Sequence, residues 1–409
     1  MIGKRKPIFA AIALASSLAA TANAQSSDRV EEITVVGVRD THTVLVDDTL
    51  VATPDTAQLL RKMPGANVNK NGELTGIAQY RGMFGDRIRV SVDGAQINGA
   101  GPNAMDAPLH YAPVALLESL TINRGIVPVS QGQETIGGFV EAKTYSGDFA
   151  TGKDFEFSGR AYTGAQSINN GNVISGFFSL ANDSHIFRGF VMQESGDDLE
   201  FPGGEITPSE YDRERYDLGY SFARGAHEFS FDFARNNTKD AGTASLPMDI
   251  LSVDSDLFRS RYTYSADQGE LTVELSASDN EHWMTNYHLR RPPQDNMMNA
   301  GTMRYRRNWA VSENYGFSVK YEQYADNGSW LYGIDGNFAE HRSIISNPNA
   351  ANFLIANFND AGRDVIGAFV ERTISLNERL GLEAGVRVNR VEMDTELVSA
   401  NLNPINMMM

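Results

Sequence analysis

The chain after about residue 150 shows an alternation of apolar and polar residues that predicts amphipathic β-strands. In RYDLGYSFARGAHEFSFDFARN, at 215–236, every second residue is a large apolar side chain, and a short Arg-Gly turn separates the two runs. Such alternation gives each strand one apolar and one polar face. The same pattern returns at 271–278, 315–324, 330–338 and 380–388.

The connections between these predicted strands alternate in length. Short turns such as 325–328 alternate with long polar segments, which include 197–213, 238–253 and 343–364. Short turns at one end and long loops at the other are typical of an outer-membrane β-barrel. A soluble β-sandwich would also give alternating strands, but it does not predict this sequence of connection lengths.

The first 24 residues have the features of a secretory signal peptide. Basic residues at 4–6 precede a short apolar run at 8–20, and small residues at 22–24 have the spacing that a signal peptidase reads. The apolar run is shorter than a spanning helix of roughly 20 residues, and no later run reaches that length. The sequence therefore predicts a signal peptide at 1–24 and export to the outer membrane of a Gram-negative bacterium.

The exported part is strongly acidic and contains no cysteine. The formal charge of the chain is −17, and removal of the three leader cations leaves −20. A chain this acidic repels phosphates, so we expect no nucleic acid partner. Without disulfides the fold must depend on size and hydrogen bonding. We find no set of nucleophile, base and orienting group, and we predict neither an enzyme nor a bound cofactor.

Three segments before residue 150 resemble successive blocks of the plug domain of TonB-dependent outer-membrane receptors. They are TAQLLRKMPGANV at 56–68, YRGMFGDRIRVSVDGAQI at 80–97 and LESLTINRGIVPVSQGQETIGGFVEAKT at 117–144. The resemblance implies a mainly β fold, with an N-terminal α+β plug at 45–147 inside an antiparallel β-barrel at 148–409. The last block departs from the family pattern, because Ile126 follows Arg-Gly where the family has proline.

Local chemistry supports two elements of these blocks. Apolar residues at 59–60 fit a short helix that stops at Pro64-Gly65, a pair that reverses the chain. The alternating run RIRVSVDG ends in Asp93-Gly94, which is a signal for a tight turn after a strand. The sequence therefore predicts a helix followed by a strand and turn within the plug.

The segment EEITVVG, at 31–37, resembles the TonB box, the extended peptide through which the energy-transducing TonB complex pulls on the plug. The residues that carry the resemblance are Glu32, Ile33, Thr34, Val35 and Val36. Their alternation suits a strand that adds to the edge of a partner's sheet; the alternative is a plain unstructured tail. The resemblance implies a periplasmic segment at 25–44 and the TonB complex as a partner, with no room before the box for a signalling domain.

The length of the chain is short for a whole receptor of this family. A plugged transporter barrel has about 22 strands, whereas we count about eleven predicted strands after residue 149, each of about 9–11 residues. An incomplete barrel would leave unpaired edges in lipid, and the chain ends in three methionines without a terminal aromatic. We therefore expect a fragment that holds about half of the barrel strands.

Soft side chains are concentrated in NEHWMTNYHLRRPPQDNMMNAGTM, at 280–303. We expect this segment to be an extracellular loop that joins a strand ending near 279 to one beginning near 304. His282 and Met284 point to the same side of an extended chain, and imidazoles and thioethers select copper over hard cations. The secondary capture groups in the same loop are Met297, Met298 and Met303.

The plug contains a further soft residue, Met105, in NGAGPNAMDAPLHY at 98–111. Its flanking prolines predict an irregular, exposed loop on the outer face. The chain here is similar to the copper-receptor branch of the family, in which a Cys-x-x-x-Met of the plug and a His-x-Met of the barrel share one copper ion. LPMDI, at 246–250, also resembles that branch.

This resemblance implies that Met105, His282 and Met284 bind a transported copper ion. Asp106 is kept beside Met105, but Gly101 stands where the branch has its thiolate, so we expect weaker binding and a possible change of ion. The other histidines are more often surface or satisfied polar residues, although His110 and His288 are near enough in sequence to contribute.

Two other functions remain open. A receptor for a metal chelate of the siderophore, haem or cobalamin type would bind an anionic ligand through arginines. The candidates are Arg290, Arg291, Arg304, Arg306 and Arg307. These arginines could equally lie at strand ends among the head groups of outer-membrane lipid. A surface protein without transport activity, such as an adhesin, would have no use for the TonB box.

Overall fold

The computed structural model describes residues 41–45, 53–123, 127–132, 136–294, 303–377, 380–398 and 400–401. Several predicted features lie outside these residues. They are the signal peptide, the TonB box from Glu32 to Val36, Ile126 of the last plug block, Met297, Met298 and the terminal methionines.

The N-terminal part of the chain forms two small sheets joined by 3₁₀ turns. The strands are β1 (Thr41–Leu45), β2 (Ala66–Lys70), β3 (Gly76–Tyr80), β4 (Met83–Phe84), β5 (Arg89–Val92), β6 (Leu117–Asn123) and β7 (Phe139–Thr144). The 3₁₀ helices are Thr56–Lys62, Gly85–Arg87, Pro102–Ala104, Pro108–Tyr111, Val114–Leu116 and Val129–Gln131. One sheet has the order β1-β6-β7-β5, in which β5 and β7 are parallel, and the other has the order β2-β3-β4.

The predicted short helix is confirmed as the 3₁₀ helix Thr56–Lys62. Asp55 caps it, because its carboxylate accepts a hydrogen bond of 3.0 Å from the amide of Ala57. Leu59 and Leu60 are buried in the plug core, and the helix ends before the proline-glycine pair. Capping and apolar burial together explain why this segment is helical.

The predicted turn after β5 is also confirmed. Asp93 and Gly94 have φ angles of 47° and 81°, which lie in the left-handed region that these two residue types tolerate best. The carboxylate of Asp93 accepts a hydrogen bond of 2.7 Å from the amide of Thr144. The turn is therefore held against the end of β7.

The rest of the chain is one large antiparallel sheet. Its strands and their neighbours are β8 (Glu156–Gln166), β9 (Gly171–Ala181), β10 (His185–Gly196), β11 (Leu199–Phe201), β12 (Gly204–Ile206), β13 (Tyr211–Arg224), β14 (His227–Ala241), β15 (Asp249–Ala266), β16 (Gly269–Thr285), β17 (Arg307–Ala325), β18 (Gly328–Asn347), β19 (Ala350–Asn377), β20 (Leu380–Asp394) and β21 (Ala400–Asn401). β11 and β12 pair only with each other as a hairpin, β21 pairs with β19, and the other strands pair in chain order. No helix in the described part of the chain is long and apolar enough to cross a membrane.

The outer face of the sheet is apolar and its inner face is polar. On β13, Tyr216 and Leu218 are 47% and 66% exposed, whereas Arg213 and Arg215 are buried against the plug. A soluble sheet has the opposite arrangement, because its apolar face is covered by the core. An apolar outer face is expected for a sheet whose outer side contacts the lipid of a membrane.

Arg213 and Arg215 hold the plug through its main chain. The plug carbonyl oxygens that accept their hydrogen bonds are those of Pro54, His110 and Tyr111, at 2.8, 3.0 and 2.7 Å. Arg213 also donates from Nε to Glu194 at 2.6 Å, and both side chains of this pair are almost completely buried. The barrel therefore binds backbone atoms of the plug through the guanidinium group of Arg213. The positive charge of this group is neutralised by Glu194, which also belongs to the barrel.

The predicted strand lengths and one predicted loop are wrong. The long strands run from 11 to 28 residues rather than 9–11. The segment 343–364, expected to be a loop, is a hairpin in which β18 and β19 continue to pair up to Asn347 and Ala350. Backbone pairing extends the strands beyond the length that a bilayer requires, because it satisfies their polar groups in water as well.

The position of the His-x-Met pair also differs from the prediction. His282 and Met284 lie near the end of β16, not in the following loop, because β16 continues to Thr285. His282 is paired in register with Val253 of β15 and Ala310 of β17. The pair therefore belongs to the barrel wall, and its two side chains share the inner face, as their spacing predicts.

Candidate metal site

The plug loop after Gly101 is strained, and it becomes buried only from Met105 onward. Asn103 and Ala104 have φ angles of 60° and 52° within the turn Pro102–Ala104, and such left-handed angles cost energy in residues with a side chain. Met105 follows and is only 2% exposed. The prediction of an exposed Met105 is therefore wrong: the side chain belongs to a buried cluster that also contains Met284.

Asp106 organises the same loop from inside. Its carboxylate accepts hydrogen bonds from the amides of Ala100 and Gly101, both at 2.7 Å, and from the hydroxyl of Tyr111 at 2.6 Å. Burial by itself raises the pKa of a carboxyl group, but the His282 imidazole and these hydrogen bonds outweigh it and hold the pKa of Asp106 well below its usual range. Asp106 is thus a fixed, buried anion.

His282 reaches Asp106 from the barrel wall. Its Nδ1 lies 3.4 Å from Oδ1 of Asp106, and both side chains are completely buried. Neither ring nitrogen has a hydrogen-bond partner in the part of the chain that the structure describes. Nδ1 is nevertheless within ion-pair distance of the Asp106 carboxylate. Because buried polar atoms are normally paired, Nε2 stands out as the ring nitrogen with unused capacity.

Gly101 lies directly against the His282 ring. A Cβ atom added to Gly101 would come within 3.0 Å of Nδ1 and Cε1 of His282, and within 2.7 Å of Oδ1 of Asp106. The missing side chain at position 101 therefore leaves the space that the ring occupies. Gly101, Asp106 and His282 meet at one point between plug and barrel.

The donor set at this point is mixed. An imidazole and a carboxylate are in contact, and the thioethers of Met105 and Met284 lie in the adjoining buried cluster. No group of three or more His, Cys, Asp or Glu side chains with metal-ligand geometry occurs among the described residues. A metal ion here would depend on thioether sulfur, and such soft donors favour copper.

Sequence reasoning missed one residue that supports the site. His341, on β18, donates a hydrogen bond of 2.7 Å from Nε2 to the carbonyl oxygen of Ala100. This bond fixes the plug loop one residue before Gly101. No motif signals this role, because the two residues are far apart in sequence and meet only when plug and barrel are assembled.

Comparison with known protein families identifies the chain. Residues 42–139 match the TonB-dependent receptor plug domain, and residues 201–404 match the TonB-dependent receptor-like β-barrel. The chain belongs to the TonB-dependent receptor family. Members of this family are outer-membrane β-barrel proteins of Gram-negative bacteria, and they are not enzymes.

Solved structures of TonB-dependent receptors share the fold. The copper transporter OprC matches with a TM-score of 0.79 and 22% identity, over 90% of this chain and 59% of that chain. The siderophore receptor PirA from Acinetobacter baumannii has a TM-score of 0.61 and 12% identity, over 88% and 58%. The FrpB iron transporter from Neisseria meningitidis has a TM-score of 0.62 and 16% identity, over 88% and 60%. This chain therefore spans about three fifths of the receptors it resembles.

Three of the arginines considered for an anionic chelate have other contacts in this receptor. Arg290 donates from Nε to Asp249 at 2.6 Å and from its terminal nitrogens to carbonyl oxygens of the loop after β14. Arg306 lies over the ring of Phe353, and Arg307 over that of Trp283. These contacts hold the loop between β16 and β17 against the wall, and in that loop Met303 forms an isolated bridge with Gln294.

The two further histidines considered for the metal have other partners. His110 donates from Nδ1 to the carbonyl oxygen of Leu74 at 3.2 Å and accepts at Nε2 from Thr238 at 3.1 Å. Burial lowers the pKa of His110 to about 3, so the ring is neutral. His288 bonds through Nε2 to the carbonyl oxygen of Ile250 at 3.2 Å. Both are satisfied polar residues.

Proposed function

We propose that this chain forms the plug and part of the barrel of a TonB-dependent importer of copper ions. The ion is captured from outside between plug and barrel by Met105, His282 and Met284, with the Asp106 carboxylate as a neighbouring negative charge. Pulling of the TonB box then rearranges the plug and releases the ion inward. The likeness of the fold to the copper transporter OprC is consistent with this proposal.

One observation carries the proposal. The His282 imidazole is completely buried, its Nδ1 lies 3.4 Å from the Asp106 carboxylate, and its Nε2 has no hydrogen-bond partner among the described residues. Leaving a buried polar group unpaired costs about 1–3 kcal/mol. A metal ion bound to one ring nitrogen would remove part of this cost, since the adjacent carboxylate offsets the charge of the cation.

The donor types favour copper over other divalent ions. Zinc and nickel bind imidazole and carboxylate well, but they gain little from thioethers, whereas copper accepts both kinds of ligand. Calcium and magnesium require several oxygen ligands, and this site offers a single carboxylate. Selectivity should therefore depend on Met105 and Met284.

The proposed ligands are divided between the plug and the barrel, which explains how movement of the plug can be coupled to release of the ion. Met105 and Asp106 belong to the plug, whereas His282 and Met284 belong to β16 of the barrel. Any displacement of the plug loop separates the two halves, and each loss of about 1.4 kcal/mol of ligand energy weakens binding tenfold. The ion would then leave a site that retains only part of its ligands.

The test is a double variant, Met105→Leu with Met284→Leu, compared with a matched double variant, Met63→Leu with Met192→Leu. All four methionines are nearly completely buried, and exchange of Met for Leu conserves volume. We expect tight copper binding to be lost only in the first variant, as measured by equilibrium dialysis of the purified receptor and by mass spectrometry of its metal content. Unchanged copper stoichiometry in the first variant would contradict the proposal.

The second candidate function is uptake of a metal chelate of the siderophore, haem or cobalamin type. It is favoured by the likeness of the fold to siderophore receptors such as PirA. An anionic chelate would need arginines such as Arg304 and Arg306 on the outer side. If growth on a ferric chelate requires these arginines while the methionine variants grow normally, the chelate function replaces the copper function.

A further inference from the structure

A row of small polar side chains continues inward from His282 along the same strand. Alternate residues of β16 share one face, so Ser276, Ser278 and Asn280 lie on the same inner face as His282. Asn280 is completely buried, and Ser278 is 7% exposed. The row extends over roughly 20 Å, at about 3.4 Å per residue.

Two oxygen atoms of this row are not used by the fold. Oδ1 of Asn280 and Oγ of Ser278 are buried and have no hydrogen-bond partner within the described ranges. A buried oxygen without a partner is rare in a native protein and calls for an explanation such as a functional ligand. Unpartnered atoms occur among the described residues also at Ser255 and Asn236, which lie in register beside Asn280 on β15 and β14. What distinguishes the row on β16 is that it runs from His282 toward the cavities described next.

The row leads into two adjoining cavities. A small cavity of about 50 Å³ is lined by Ser276, Ser278, Gln96 and Asn314. A larger cavity of about 670 Å³ shares Ser276 and Gln96 with it and is otherwise lined largely by polar and charged side chains, including Glu274. The inner end of the row therefore borders a polar space between plug and barrel, and Asn280 lies on the strand between that end and His282.

The plug side of the row is closed by amide hydrogen bonds. Asn280 donates from Nδ2 to the carbonyl oxygen of Asn98 at 2.9 Å, and Asn314 donates from Nδ2 to the carbonyl oxygen of Gln96 at 2.7 Å. Asn98 in turn donates to Oδ1 of Asn314 at 3.1 Å. These bonds tie the plug segment 96–98 to the row, so that a movement of this segment would uncover Asn280 and Asn314.

We propose that Asn280, Ser278 and Ser276 form the transit path of the metal ion from the outer site to the large cavity. This inference rests on the proposed copper uptake and extends it. Amide and hydroxyl oxygens are weaker ligands for a soft ion than thioether or imidazole. Weak, repeated sites are what permeation requires, since an ion must be able both to enter and to leave. The path follows the barrel wall, so the plug need not leave the barrel.

The test uses two matched pairs of variants in the full-length receptor. Ser278→Val removes the hydroxyl group. Ser278→Thr keeps the hydroxyl group in a side chain that has the shape of valine. Asn280→Leu is compared with Asn236→Leu, because Asn236 on β14 is equally buried and has unpartnered side-chain atoms among the described residues, but lies two strands away from the row. Uptake of radioactive copper by cells and copper binding by the purified receptor are measured for each, with surface labelling to verify equal amounts in the outer membrane.

We expect Ser278→Val and Asn280→Leu to lower the rate of uptake about tenfold, as for a barrier raised at one step. Ser278→Val should bind copper at equilibrium as the wild type does, Ser278→Thr should retain more uptake than Ser278→Val, and Asn236→Leu should import normally. The transit path would be overturned if Ser278→Val and Asn280→Leu both bound and imported copper normally. It would also be overturned if Asn236→Leu lost as much uptake as they do. Neither result would contradict the proposed copper binding. If the wild-type receptor binds no copper, the proposed function itself fails.

Discussion

Replacement of Gly101 tests whether the His282 ring occupies the space that a side chain at position 101 would fill. Gly101 has a φ of −72° and a ψ of 128°, which any residue adopts, so a substitution there causes no backbone strain. A new Cβ would instead come within 3.0 Å of the His282 ring and within 2.7 Å of Oδ1 of Asp106. Gly101→Ala and Gly101→Cys both add this atom, and only Cys adds a thiolate.

The magnitude follows from the packing at this point. Extra atoms in a packed interior cost about 1–3 kcal/mol, and the cost here should lie within this range, because the His282 ring can rotate but the Asp106 carboxylate is held by three hydrogen bonds. If the ring is displaced from the ion, Gly101→Ala should weaken copper binding about tenfold, or about 1.4 kcal/mol. Sequence alone predicts that Gly101→Cys strengthens binding. In the structure, Gly101→Cys displaces the His282 ring just as Gly101→Ala does. The gain in copper affinity from the thiolate should therefore be clearest when Gly101→Cys is compared with Gly101→Ala.

The assay is titration calorimetry of the purified receptor with copper. Gly164→Ala is the control, since its Cβ would also be crowded, at 2.9 Å from the hydroxyl of Tyr162, but far from any proposed ligand in the fold. Wild-type affinity in Gly101→Ala would refute the reasoning. An equal loss of affinity in Gly164→Ala would also refute it, because the effect would then be a general one of packing.

Three further predictions concern energy coupling, acid stability and the grip on the plug. Ile33→Pro should abolish copper uptake by cells while equilibrium copper binding persists, because proline lacks the N–H that a strand-forming peptide donates; continued uptake would contradict the TonB box. Burial lowers the folded pKa of His110 to about 3, so unfolding takes up a proton below about pH 6.5. The wild-type melting temperature should therefore be highest above that pH and fall as the pH drops toward 3, and His110→Gln should flatten this slope; parallel curves would contradict the shift. Arg213→Ala leaves the carboxylate of Glu194 buried without its partner and should lower the unfolding free energy in urea by about 3–5 kcal/mol, whereas Arg390→Ala, at an exposed pair, should change it little.

Much of the fold could be predicted because it depends on local pattern. The alternation on β13 and β14 places each side chain by its own position in the strand, and the turn at Asp93-Gly94 depends on two adjacent residues. The ends of β16, β18 and β19 could not be predicted in this way. They depend on pairing with neighbouring strands, which continues wherever a partner backbone is present.

The candidate site was predictable in its residue types but not in its geometry. Met105, His282 and Met284 stand out as soft donors in otherwise polar segments. The burial of Met105, however, is produced by barrel strands far along the chain, and the contact between Asp106 and His282 depends on the register of β16 against β15 and β17. The conflict between a Cβ at Gly101 and the imidazole ring is visible only in three dimensions.

The contacts of Arg213 and Arg215 have a consequence for the exchange of domains between receptors. Both arginines bind main-chain oxygens of the plug, and every residue type supplies such an oxygen. Side chains at the three contacted positions can therefore vary without loss of the anchor. A plug of foreign sequence but the same backbone path would meet the same anchor, so that the plug half of the ligand set could be exchanged while the wall residues His282 and Met284 stay in place.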